Sequence, residues 1–120
     1  MNIGIDFDNT ITENPALFRK LTNSLRKGNV IYVISSSDKA EERDIERERE
    51  GKVRRLKAWR IHYRKLFLAL RPIPESKAAM CRKYKIDLMI DDNRENVRAI
   101  RRRSKRTACM EFAYSAGGGR

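Results

Sequence analysis

Asn2-Ile3-Gly4-Ile5-Asp6-Phe7-Asp8-Asn9-Thr10 opens on a short apolar run and breaks abruptly into carboxylates. Asn2–Ile5 reads as a strand. Asp6 and Asp8 stand two residues apart, the period of an extended chain, so they leave the strand side by side. Whether that pair sits at the rim of a sheet depends on what the rest of the chain does.

The rest alternates. Asn14-Pro15 is a helix start, with Asn as cap and Pro at the first helical position. Leu17, Phe18, Leu21 and Leu25 then share one helical face, and Gly28 closes the helix. Val30–Ile34 is short and β-branched, a buried strand. From Lys39 to about His62 the pattern is helical, with Ile45, Val53, Leu56 and Trp59 as inward positions. Its first part, Glu41–Glu50, is mostly acidic, and its second, Lys52–Lys65, carries basic charges only. Gly51 divides them and marks a place for a break or kink. A third strand, Leu66–Leu70, leads into a Pro72/Pro74 turn. A helix over Glu75–Tyr84, a strand at Ile86–Ile90, a helix at Asn93–Arg103 and a last strand at Ala108–Phe112 follow.

Such alternation predicts βαβ units with right-handed crossovers. The expected fold is α/β: a three-layer, Rossmann-like parallel sheet of about five strands with helices on both faces. Residues 1–115 form its one domain, and Ala116–Arg120 a glycine-rich, frayed tail. At 120 residues there is room for one core only. Hydrophobic content of 40% against 37% charged is low, but the apolar residues cluster into dense runs, which excludes disorder.

The formal charge of +12 attracts polyanions, nucleic acid first among them, or simply keeps the surface soluble. Composition leaves both open. Cys81 and Cys109 lack the spacing of a disulfide framework and read as free, mostly buried thiols in a reducing compartment. No apolar run reaches the about 20 residues that span a bilayer, and no leader pattern precedes the first strand. The expected location is the cytosol.

Ligands of parallel sheets sit beyond the carboxyl ends of the strands. Beyond the first strand stand Asp6 and Asp8, one able to attack while the other handles protons. The second strand ends at Ser35, a hydroxyl placed to bond a phosphoryl oxygen. Lys77 opens the helix before the fourth strand, where an ammonium can reach the same rim. The fourth strand ends in Asp91-Asp92. Carboxylates from strands one and four make an oxygen-rich site suited to Mg²⁺.

These four motifs, in this order, resemble the haloacid dehalogenase-like superfamily of phosphatases and phosphotransferases. Asp-x-Asp-x-Thr fits Asp6, Asp8 and Thr10, the strand-end hydroxyl fits Ser35, the lysine fits Lys77, and the acidic pair fits Asp91 and Asp92. The resemblance implies that Asp6 is phosphorylated and that Asp8 protonates the leaving group and later activates water. It implies Mg²⁺ on the Asp6 carboxylate, the Asp8 main-chain carbonyl and Asp92, with Asp91 in support, and Ser35 and Lys77 on the phosphoryl oxygens. Dehalogenase members lack the second aspartate and pump ATPases carry Thr there, so Asp8 points to a phosphatase.

Members of the superfamily usually carry a cap domain, and no stretch here is long enough to form one. Uncapped members tend to act on large substrates. The run Ile86–Asp92 with its basic helix is similar to the phosphatase half of phage polynucleotide kinase-phosphatases and to small nucleotidases. Those relatives often place Gly-Arg or Ala-Arg after the second motif, whereas Ser36-Ser37 stand here, so that arginine is missing. The expected substrates are nucleotides or nucleic-acid ends. The alternatives are a mononucleotide phosphatase and a non-catalytic phosphate- or nucleic-acid-binding module. Lys52–Lys65 and Arg94–Arg106 are the segments expected to steer a phosphate backbone. Arg101–Arg106 also fits a solvated helix end, where cations suit the dipole. His62 reads as structural, Trp59 as core, and Thr10 as either a turn brace or a substrate contact.

Overall fold

The computed structural model describes residues 1–113; the tail expected at Ala116–Arg120 lies outside the described residues. β1 (Asn2–Ile5) leads through a 3-10 turn (Ile11–Glu13) to α1 (Pro15–Leu25). β2 (Val30–Ser36), α2 (Glu42–Ala58), β3 (Lys65–Ala69), α3 (Ile73–Lys83), β4 (Leu88–Asp91), α4 (Arg94–Arg103) and β5 (Ala108–Glu111) follow. All five strands are parallel, in the order β3-β2-β1-β4-β5. β1 is central, with Ile5 opposite Val33 on one side and Ile90 on the other. The strand order reverses at β1, so a crevice opens above its carboxyl end.

The two-residue period of the strands sorts the core into two layers. Ile3, Ile5, Ile31, Val33, Leu66 and Leu68 face one way and pack on Phe18 of α1 and Leu56 of α2. Ile34, Phe67 and Met89 face the other way, onto Ala78 and Cys81 of α3 and Val97 and Ile100 of α4. Gly4 lies on this second face, where a methyl group would come within 2.7 Å of Met89 Sδ. The sheet is therefore covered on both faces, as the alternation predicts.

The helix starts are local chemistry. Asn14 Oδ1 accepts from the Leu17 amide at 3.1 Å, with Pro15 at the first position. Asn93 Oδ1 accepts from the Glu95 and Asn96 amides at 2.9 and 3.0 Å. Each cap satisfies amides that have no carbonyl partner within the first turn, an effect worth about 1 kcal/mol. Gly28 sits at φ 79, past the end of α1.

Three sequence expectations need correction. Leu17 is exposed, one position off the face formed by Phe18, Leu21 and Leu25. Gly51 does not break the helix, since α2 runs through it without interruption. The loss of about 1 kcal/mol for a helical glycine is outweighed by the packing of Ile45, Leu56 and Trp59 on the core. Val53 is exposed, and the inward seat beside it belongs to Lys52, which is 6% exposed. The stripe Ile45, Lys52, Leu56, Trp59 holds helical spacing with a cation in the middle.

Candidate functional site

Phe7 continues the side-chain alternation of β1 into the first core layer, stacking on Trp59 at 6.0 Å. Asp6 consequently faces the α3 side. It is 4% exposed, and its amide still donates to Ile90 O at 2.9 Å, holding it at the sheet's carboxyl edge. On β4 the same alternation turns Asp91, fully buried, toward α3. Between the two carboxylates stands Lys77, one turn into α3 and 1% exposed. Its ammonium donates to Asp6 Oδ1 at 2.7 Å and to Asp91 Oδ2 at 2.6 Å.

One ammonium shared by two buried carboxylates leaves a net negative charge. Burial pushes the Asp6 carboxyl up to about 6, against the opposing pull of Lys77. Burial also raises Asp91, again opposed by Lys77. Burial acts to lower the Lys77 ammonium, but Asp6 and Asp91 together outweigh it and hold it above the ordinary lysine value. Thr10 Oγ1 donates to Asp6 Oδ2 at 3.3 Å and lies 3.5 Å from Asp92 Oδ1. It braces the carboxylates of the site as well as the turn.

Asp6, Asp91 and Asp92 each offer an oxygen, all within 4.8 Å of one another. The two acids of the pair differ in what occupies them. Asp91 Oδ1 accepts from the Asn93 amide at 2.9 Å while Oδ2 holds Lys77, and Asn96 Nδ2 touches both oxygens at 3.4 Å. The hydrogen bonds of Asp92 stop at Thr10. Three carboxylate oxygens in a cluster of net negative charge are a donor set that fits a hard divalent cation.

Asp8 stands further out, its side chain half-exposed. Ser35, facing α2 at the end of β2, is fully buried. A residue that sequence reasoning placed on a basic surface joins them. Lys52 Nζ donates to Ser35 Oγ at 2.6 Å, to Ser36 O at 3.0 Å and to Asp8 Oδ2 at 3.3 Å. α2 thus brings a cation to the carboxyl end of β2. The signal in the sequence was a lysine in a core seat of the Ile45–Trp59 stripe.

A cavity of about 250 Å³ opens over the rim, lined by Asp6, Asp8, Lys77 and Asp92 among others. The arginine-rich run is not beside it. Arg106 donates to Asp87 Oδ1 at 3.0 Å, and Asp87 accepts from the Asn2 amide at 2.7 Å, which fixes that run at the opposite, amino-terminal edge of the sheet. Only the start of α4, with Arg94, lies at the rim. His62 lies away from the site, its amide on Thr22 Oγ1 at 3.1 Å. Among the described residues, no helix is long and apolar enough to cross a membrane. Comparisons with family models, with curated proteins and with solved structures return no match.

Proposed function

We propose that this chain is a magnesium-dependent phosphoric monoester hydrolase of the haloacid dehalogenase-like type, working through an aspartyl-phosphate at Asp6. The observation that carries the reading is Asp6 itself: a buried carboxylate at the sheet's rim, held by Lys77 at 2.7 Å beside the carboxylates of Asp91 and Asp92. An Asp6 oxygen attacks phosphorus, and the bond from phosphorus to the ester oxygen breaks. Asp8 gives its proton to that departing oxygen. Water, giving a proton back to Asp8, then attacks the aspartyl-phosphate and releases inorganic phosphate and the free Asp6 carboxylate. Lys77 and the Ser35 hydroxyl hold the phosphoryl oxygens as charge develops on them.

Asp6 and Asp92 are the side chains that would hold Mg²⁺, together with the Asp8 carbonyl. Asp91, whose oxygens are taken up by Lys77, Asn93 and Asn96, serves as support. Bound there, Mg²⁺ supplies positive charge to the phosphoryl oxygens. Among the described residues no inserted domain covers the rim: β3 passes to α3 through Leu70, Arg71 and Pro72 alone. An open rim suits phosphorylated nucleotides or nucleic-acid ends.

The test is release of inorganic phosphate from an aryl phosphate, from mononucleotides and from phosphate-ended oligonucleotides, with Mg²⁺ or with chelator. Turnover is expected only with the metal, and Asp6→Asn, isosteric but a poor nucleophile, is expected to abolish it. A folded Asp6→Asn variant that still turns over would sink the reading.

A further inference from the structure

Lys52 is a buried ammonium that the mechanism above leaves unused. Its side chain is 7% exposed, and the nearest acids are Asp8 at 3.3 Å and Glu48 at 3.9 Å. Glu48 Oε2 is itself buried without a hydrogen-bond partner, so that pair is ionic only. Phe7 presents its ring to the ammonium at 5.4 Å. Burying an ammonium is costly: an apolar residue at each position is often as stable as a whole buried ion pair, whereas removing one partner alone strands the other. The stripe from Ile45 to Trp59 would accept such a residue.

The hydrogen bonds show what the charge does. An ammonium has no lone pair, so Lys52 must donate to Ser35 and the hydroxyl must accept. The proton of Ser35 is therefore left to point elsewhere, and no acceptor for it stands among the described residues. The third bond of the ammonium reaches Asp8, which is half-exposed and not hydrogen-bonded to Ser35 directly.

Resting on the phosphatase reading, we propose that Lys52 is a positioning residue that couples Ser35 to Asp8. It fixes the Ser35 hydroxyl as a donor toward a phosphoryl oxygen. It also holds the Asp8 carboxyl where the leaving oxygen departs. The donor that steadies the phosphoryl group and the acid that releases the leaving group are thereby set by one side chain from α2.

The experiment uses Lys52→Met in the full chain with Mg²⁺, on an alkyl phosphate and an activated aryl phosphate, with melting temperature measured alongside. Removing a single preorganised donor commonly costs about 10²–10³-fold in kcat. The alkyl ester, whose poor leaving group needs the proton of Asp8, is expected to lose that much in kcat and the aryl ester clearly less, whatever the melting temperature does. Equal, small losses on both esters, with a lowered melting temperature or without one, would make Lys52 a structural cation and overturn the proposal. Should Lys52→Met fail to fold, Ser35→Ala and Asp8→Asn are combined instead. Coupled through Lys52, the double variant loses less than the product of the single losses; losses that multiply overturn the proposal. A wild-type protein inactive on every phosphate ester removes the phosphatase reading, and this proposal with it. An active one lost on Asp6→Asn but indifferent to Lys52→Met removes this proposal alone.

Discussion

Replacing Lys77 by methionine keeps the length of the side chain and deletes the charge between two buried carboxylates. Lys77 holds its partners at 2.7 and 2.6 Å from a position 1% exposed, so solvent cannot take over its task. Breaking a buried pair by removing one partner costs about 3–5 kcal/mol, a large share of the about 5–15 kcal/mol that holds a domain together. The loss should depend on pH in a defined direction. Burial already lifts Asp6 to about 6 and raises Asp91, and Lys77 is what opposes both. Without it both acids rise further above their unfolded values. An acid raised on folding keeps a proton that the unfolded chain releases, so its contribution to stability falls as pH rises through the folded pKa. The deficit of Lys77→Met is therefore largest near about pH 8 and smallest near about pH 4. Mg²⁺, binding the folded carboxylates, should recover part of it by mass action. Urea unfolding followed through Trp59 fluorescence, in chelator and across that range, measures the effect. A deficit under about 1 kcal/mol at neutral pH, the scale of an exposed pair, would refute the reasoning, as would one that grows on acidification.

Two further outcomes follow from the same geometry. Burial pushes the Cys81 thiol up to about 12 and Cys109 to about 11, and both are free. Alkylation near about pH 8 should be slow in the folded protein and fast in denaturant, because the thiolate is the reactive form; fast labelling of the native chain would contradict their placement. Neutralising Arg102, Arg103 and Lys105 to glutamine should leave turnover of an aryl phosphate unchanged, because these side chains line a hollow with Arg106 at the far edge of the sheet. Any affinity of that edge for single-stranded nucleic acid should show a salt slope that shrinks by roughly 0.7 for each phosphate no longer neutralised. A changed rate on the small substrate would place the run nearer the rim than the fold does.

The sheet was legible in the chain because a parallel strand buried on both faces must be a short apolar run, and Val30–Ile34 has few other ways to fold. The carboxylates were legible for a related reason. Asp6 and Asp91 stand directly after such runs, and the two-residue period turns both toward α3; Asp8 lies beyond the strand, where Lys52 of α2 holds it. Lys77 was visible as a candidate, but its grip on both Asp6 and Asp91 needed α3 laid across β1 and β4. Lys52 was hidden among neighbouring cations, its helical spacing with Ile45, Leu56 and Trp59 being the local sign that set it apart. Its part depends on α2 packing back over β2, an encounter between residues 17 positions apart in the chain. The arginine run was misplaced for the converse reason. A helix that starts at the rim carries its far end away from it at about 1.5 Å per residue, and the return of Arg106 to Asp87 ties that end to the opposite edge. Residue type and period settle which elements form and which side chains leave the strand ends; only the directions of the packed helices decide which charges meet there.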